Sequence, residues 1–329
     1  TLTLAGGAGA GGASPVYRLA GAVADEDWTT LLAGLVGQRF DRIAAPAYTT
    51  VAGPSGNLAR LADHVDAMAD VPTMAAQQVV FGSVESLGTT VTLAACNRLR
   101  CMMAWLRNAD VSPAELAAQV AAARLVGDAG VAGVVNGIDG EGVTPAANLN
   151  GVELASIPAP GAQVDVITAA EVEAMLGSGV SPVVPSTDRP GRTVLVASIT
   201  TRSQSGGVPD YSVYKTKEVT VLDRVRDELV ASLRHTYRGF NLAPDRNDGR
   251  PPDTPRTVTP STVRAFTLAL LRSYQRQGWI VQVDERAAEL TARIHPANPR
   301  RLDMNIPCTP AQDFDIGTGE LQQRSPIVA

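Results

Sequence analysis

The side chains able to do covalent or metal chemistry are few and scattered along this chain. The three histidines, His64, His235 and His295, lie far apart in sequence. None has a partner at a spacing such as H-E-x-x-H, which sets two imidazoles on one metal ion. His64 and His235 fall in helix-like patterns, and His295 ends a strand-like run before Pro296. Each reads as a surface or partly packed side chain. Cys96, Cys101 and Cys308 are odd in number and lack CxxC spacing. That argues against a disulfide framework and a structural zinc site, and leaves them as small apolar residues. No Gly-x-Ser-x-Gly elbow is present, and Ser205-Gly-Gly207 has no helix directly after it to hold a nucleophile. Asp223, Asp227 and Glu228 could act as paired carboxylates. Arg224 and Arg226 stand among them, so a salt-bridged, solvated helix face is the simpler reading.

Gly7-Ala-Gly9-Ala-Gly-Gly12 matches G-x-G-x-x-G after a short strand pattern. Dinucleotide binding needs a helix to start there, so that its first amides face the pyrophosphate. Ser14-Pro15 follows instead, and the first helical pattern starts near Asp25. A flexible Gly/Ala loop is the plainer reading. We therefore expect no catalytic residue, no cofactor site, no metal site and no enzymatic activity. The rival reading is a nucleotide-binding or hydrolytic α/β enzyme.

Two features suit contacts with other proteins. Arg264, Arg272 and Arg276 lie broadly on one side of a helical pattern, as a solubility face or a docking face. After Pro310, the tail 311–329 carries Phe314, Ile316 and Leu321 as isolated apolar residues among Asp313, Asp315 and Gly317-Thr-Gly319. Such a segment buries little of itself. It is either a disordered end or an arm that adds a strand to a neighbour's sheet edge.

The elements that carry these residues follow from period and punctuation. Trp28, Leu31, Leu32 and Leu35 make a helix closed by Gly37; Leu58, Leu61, Val65 and Met68 make a second; a third falls within 85–95. Phe40–Pro46 and Gln77–Phe81 read as strands, and Leu99–Leu106 reads as a buried strand or a helix, with the strand favoured by the helix that follows. Ser112-Pro113-Ala-Glu115 is a capping box that launches a helix through Leu116, Val120 and Leu125. The Gly-rich stretch 126–145 reads as a long surface loop or an insertion. Thr168 and Glu171 form a second capping box, followed by a turn at Ser181-Pro182 and a strand over 193–200 with Val194, Val196 and Ser198 on one face. Later come a long helix with Val219, Leu222, Val225, Leu229 and Leu233 on one side, a polar loop over 243–257, and a helix capped by Thr259-Pro260 and closed by Gly278. Val263, Phe266, Leu270 and Tyr274 face inward on that helix. Strands over 280–283, 289–295 and 302–308 complete the chain.

Alternating helices and strands predict an α/β region with a helix-covered mixed sheet, followed by a smaller α+β region. At 329 residues two domains are expected. Aromatics are only 4%, so the core rests on Ala, Val and Leu. The net charge of −5, with no basic run, makes direct nucleic-acid binding unexpected. No apolar run is long enough for membrane insertion. Thr1-Leu-Thr-Leu4 reads as a strand already under way, so we expect upstream sequence.

The order of Thr168–Pro182, the Ser198-Ile-Thr-Thr-Arg202 strand end, a Gly-Gly loop, Pro209-Asp210-Tyr211, a long helix, Thr259-Pro260 and Gly278-Trp279-Ile280 resembles that of contractile phage-tail sheath proteins. The resemblance runs from about Asp25 to Thr309. It implies a glycine-rich opening segment (1–24), an α/β sheath domain (25–191) that is subtilisin-like in shape but non-catalytic, a C-terminal α+β domain (192–310) and an extended terminal arm (311–329). It also implies a structural subunit that stacks as hexameric rings around an inner tail tube and contracts to drive the tube through an envelope. The implied partners are copies of itself, the tube protein, and baseplate and tail terminator proteins. The implied setting is a virion tail, assembled in the host cytoplasm. Phe314, Ile316 and Leu321 would then belong to an inter-subunit arm, and Arg264, Arg272 and Arg276 to a tube-facing helix. A static shell or baseplate protein with the same fold is the third reading. Two departures stand out: family members carry an N-terminal arm that is not visible here, and the 126–145 stretch matches no pattern of theirs.

Overall fold

The computed structural model describes residues 3–5, 18–20, 28–38, 40–47, 56–70, 73–131, 149–161, 166–246 and 254–312. The Gly7–Gly12 loop and the tail residues Phe314, Ile316 and Leu321 lie outside them. Short strands β1 (Thr3–Ala5) and β2 (Arg18–Ala20) pair antiparallel.

The centre is a six-stranded mixed sheet. Its strands are β3 (Arg42–Pro46), β4 (Gln78–Ser83), β5 (Cys101–Trp105), β6 (Val152–Pro158), β7 (Val180–Pro185) and β8 (Arg192–Leu195). Their order is β3-β4-β5-β7-β8-β6. The first four run parallel, and β8 is antiparallel to both of its neighbours. Successive strand residues point to opposite faces, so β4 and β5 supply two cores at once. Val79, Phe81, Cys101, Met103 and Trp105 face one layer, formed by α1 (Thr29–Leu35), α2 (Asn57–Ala69), α3 (Leu87–Ala94) and α5 (Ala169–Gly177). Val80, Met102 and Ala104 face α4 (Pro113–Val131) through Leu116, Ala117, Val120 and Ala121. Both faces of the sheet are covered, as parallel strands require.

The close fit of α4 to the sheet depends on Gly82. A Cβ at that position would stand 2.0 Å from the Pro113 carbonyl oxygen and 2.8 Å from the Ala117 nitrogen. Only a residue without a side chain lets the first turn of α4 lie on β4.

Most predicted elements are present at or near their expected positions. Gly37 and Gly278 hold φ of 84° and 74° and end their helices as expected. Three expectations need correction. Ser181-Pro182 is no turn; both residues are buried within β7. Pro182 is tolerated because pairing with β5 stops at Trp105, while its carbonyl still accepts from Val196 N at 3.0 Å. The strand expected over 193–200 ends at Leu195, and its buried face holds Thr193 and Leu195 rather than Val194. Finally, α4 continues to Val131, into the stretch read as a loop. Residues 132–148 lie outside the described set.

Beyond the sheet, α6 (Thr216–Tyr237) and α7 (Pro260–Arg276) pack together around a third core. Val221, Val225 and Leu229 meet Leu271, Tyr274, Trp279, Ile280 and Leu290. The Tyr274 and Trp279 rings stack at 5.1 Å. Between β8 and α6, the two-residue strands β9 (Gln204–Ser205) and β10 (Val208–Pro209) pair antiparallel. β11 (Asn241–Leu242) pairs parallel with β12 (Thr257–Val258). β13 (Ile280–Val281) pairs with β16 (Thr309–Pro310), and β14 (Thr291–His295) pairs with β15 (Asn298–Asn305), both antiparallel.

Candidate functional site

The potentially reactive residues do not converge. His64 is buried on α2, where burial lowers its pKa. His235 is exposed on α6, and His295 ends β14. All three thiols are free, and Cys101 is fully buried in the sheet. Among the described residues, no group of three His, Cys, Asp or Glu side chains could hold a metal ion. No helix among them is long and apolar enough to cross a membrane.

The polar groups converge instead where α6 meets the sheet. The first turns of α6 lie under the N-terminal ends of β3, β4 and β5. Thr220 Oγ1 accepts from Arg42 Nη2 on β3 at 2.9 Å, from Gln78 Nε2 on β4 at 3.0 Å and from Arg124 Nη2 on α4 at 3.3 Å. Arg100, just ahead of β5, grips Asp223 with both guanidinium nitrogens, at 2.5 and 2.7 Å. Their side chains are only 15% and 17% exposed, so this fork is mostly out of water. Arg226 Nη1 donates to the Ala69 carbonyl at the end of α2, at 2.8 Å. Ser198 and Thr216 share a buried 2.6 Å hydrogen bond at the start of the helix. The sequence placed Asp223 on a solvated face. The helix does show that pattern elsewhere, where Arg224 pairs with Glu228 at 2.8 Å, but Asp223 belongs to the joint.

The stretch from Thr168 to Arg202 feeds this joint. Glu171 N donates to Thr168 Oγ1 at 3.3 Å and Thr168 N donates to Glu171 Oε2 at 2.9 Å, so the expected capping box is formed. Arg107 also donates to the Glu171 carboxylate. The Thr168 backbone, then Arg107, then the Thr168 hydroxyl hold the Glu171 pKa at about 2. A depressed folded-state pKa gives stability that is present above the ordinary carboxylate value and is lost as pH falls through about 2. The stability gap between the wild type and Glu171→Gln should therefore be largest near neutral pH and shrink toward pH 2, read as thermal midpoints against pH. A gap independent of pH would contradict this.

Gly179 follows α5 at φ 76°, and a Cβ there would lie 2.6 Å from the Thr201 carbonyl oxygen. The segment after β8 thus lies against the start of β7. Thr201 N donates to the Cys101 carbonyl at 2.8 Å, and the Thr201 hydroxyl accepts from Arg98 N at 3.1 Å. β8, read from sequence as the first strand of the second domain, is hydrogen-bonded within the central sheet between β7 and β6.

The three arginines of α7 have different surroundings. Arg264 donates to the carbonyls of Leu290 and Ala287, both at 2.7 Å, and so braces the approach to β14. Arg272 pairs with Asp284 at 2.7 Å with both side chains at least half exposed. Arg276 is exposed.

No protein-family model matches the sequence, and no curated protein sequence is similar to it. Solved structures do share its fold. The sheath tail protein of Desulfitobacterium hafniense superposes with a TM-score of 0.55 at 14% identity, over 92% of this chain and 64% of that one. The sheath tail protein of Listeria innocua gives 0.56 at 15%, over 87% and 57%. The helical sheath of the anti-feeding prophage in its contracted state gives 0.53 at 14%, over 94% and 78%. The chain therefore spans less than two thirds of the length of the two bacterial sheath tail proteins. Its fold is that of contractile tail sheath proteins.

Proposed function

We propose that the chain is a structural, non-enzymatic subunit of a contractile tail sheath, in the tail of a virion or phage-derived particle. The observation that carries this reading is the sheath fold across nearly the whole chain, including the contracted sheath of the anti-feeding prophage. The scattered reactive residues and the polar joint under the sheet favour a protein that works by its contacts. On this reading copies stack as hexameric rings around an inner tube, and baseplate and terminator proteins hold the ends of the stack. The sheet with its covering helices is the subtilisin-like sheath domain, and α6 to β16 form the C-terminal α+β domain. Assembly takes place in the host cytoplasm. Contraction moves each subunit as a body, because the α6 joint ties both domains together. The tube-facing role falls on α7, through the exposed Arg272 and Arg276, while Arg264 braces the helix.

The tail 311–329, with Phe314, Ile316 and Leu321, is the arm that holds neighbouring copies together. Deleting residues 313–329 should leave a folded subunit with an unchanged circular dichroism melt but no tubes in negative-stain images. The cut preserves the Ala311 N bond to the Trp279 carbonyl. Tube formation by the truncated chain at the wild-type level would refute the arm assignment.

A further inference from the structure

Two of the three thiols are an exception to the scatter of reactive groups. Cys96 follows α3 and Cys101 opens β5, and the 95–100 turn folds one back on the other. Both lie in the core that α1, α2, α3 and α5 cover. The Cys101 thiol donates a hydrogen bond to the Cys96 sulfur. Thr201 touches both residues: its hydroxyl lies 3.2 Å from Cys96 Sγ, and its amide donates to the Cys101 carbonyl at 2.8 Å. The turn is pinned from outside by Asn97, which holds φ 52°. Its side chain accepts from the Ser203 and Gln204 amides at 3.1 and 3.2 Å and donates to the Gln204 carbonyl at 2.9 Å.

The two thiols differ in access and in acidity. Cys96 keeps part of its surface in water, whereas Cys101 is fully buried. The Cys101 hydrogen bond outweighs burial and, with the Thr201 hydroxyl and Arg98, brings the Cys96 pKa down to about 7. The same contact, then burial, pushes the Cys101 thiol well up. The thiolate is the nucleophilic form, so Cys96 is the sulfur that a small oxidant meets first. A second thiol in contact with it, closed to solvent, is placed to resolve the product. Cys308 has no such arrangement: it is half-buried in the third core, and burial pushes its pKa up to about 11.

We propose that Cys96 and Cys101 are a peroxide-oxidisable dithiol that closes to a disulfide across the 95–100 turn. The Cys96 thiolate attacks one oxygen of hydrogen peroxide. The S–O bond forms, the O–O bond breaks, and the hydroxide that leaves takes up the proton Cys96 released. The Cys101 sulfur then attacks the sulfenic sulfur of Cys96. The S–S bond forms, the S–O bond breaks, and the second hydroxide leaves as water with the Cys101 proton. Two thiols and one peroxide thus give one disulfide and two waters. The disulfide ties the end of α3 to the start of β5.

Tryptic mapping of the full-length chain tests this. Arg98 and Arg100 lie between the two cysteines, so cleavage after them puts Cys96 and Cys101 on separate peptides. After hydrogen peroxide at pH 7 and alkylation in denaturant, the two peptides should be joined, in a chain that still runs as a monomer on a non-reducing gel. Cys308 should remain alkylated and oxidise at least 10-fold more slowly than Cys96. Dithiothreitol should separate the joined peptides. In Cys101→Ser, Cys96 should give a sulfenic acid trapped by dimedone and no joined peptide. In Cys96→Ser, Cys101 should stay a thiol under the same treatment. Three alkylated cysteines in the treated wild type, a linkage between chains, or Cys96 taken to the sulfinic acid with Cys101 still free would overturn the proposal. The wild-type map decides this even where a variant fails to fold.

Discussion

Gly82→Ala should destabilise the protein by about 3 kcal/mol or more, at the upper end for overpacking a core. The new methyl carbon would meet backbone atoms of α4, the Pro113 carbonyl at 2.0 Å and the Ala117 nitrogen at 2.8 Å. Backbone cannot rotate away as a side chain can, so α4 must lift from the sheet. Lifting it loosens Leu116 and Val120 from Met102, Leu154 and Leu195, all of them buried. At about 2–4 °C per kcal/mol for a chain of this size, the thermal midpoint should fall by about 6–12 °C. Gly88→Ala is the internal control. It lies in α3 with nothing within 4 Å of its added Cβ, so helix propensity alone should make it neutral or stabilising by up to about 1 kcal/mol. Similar midpoints for the two variants would mean that α4 does not touch β4 at Gly82.

The second large effect is at the joint. Arg100→Ala should cost about 2–4 kcal/mol, because it leaves the mostly buried Asp223 carboxylate with only a longer 3.8 Å ion pair to Arg226. The figure stays below the full cost of breaking a buried pair because both groups keep some solvent. Asp223→Ala should cost a similar amount. The double variant should lose less than the sum, with about 1–3 kcal/mol of coupling measured by urea denaturation. Strict additivity would show that the two side chains do not meet, and the docking of α6 under the sheet would lose its main support. In an assembled sheath, loss of this tie should also let the helix pair move independently of the sheet.

Local chemistry made the elements legible from sequence. Leu58, Leu61, Val65 and Met68 repeat at helical spacing and are all buried on α2. Thr168 and Thr259 accept from backbone amides at the starts of α5 and α7, as their positions before Glu171 and Pro260 predicted. What sequence hid are contacts whose partners lie far along the chain. Arg100 and Asp223 are 123 residues apart, and nothing local to either names the other. Thr193, Ser198, Thr200 and Thr201 are polar yet buried, because distant groups satisfy them: the Ile157 carbonyl for the Thr193 hydroxyl and the Thr216 hydroxyl for that of Ser198. Their alternation therefore predicted a strand longer than the one that ends at Leu195. Gly82 gave no signal because a glycine after Phe81 reads as the end of a strand, when it is a point of contact within one. The candidate surfaces and sites were only partly legible. The arginines of α7 stood out, whereas Cys96 and Cys101 lack CxxC spacing and meet only because the chain turns at Asn97 between them.

Negative-stain electron microscopy of the purified full-length chain tests the central claim most directly. The sheath reading predicts rings and hollow tubes of constant diameter that form without nucleotide. A uniformly monomeric protein under all assembly conditions, binding a dinucleotide through Gly7–Gly12, would contradict it.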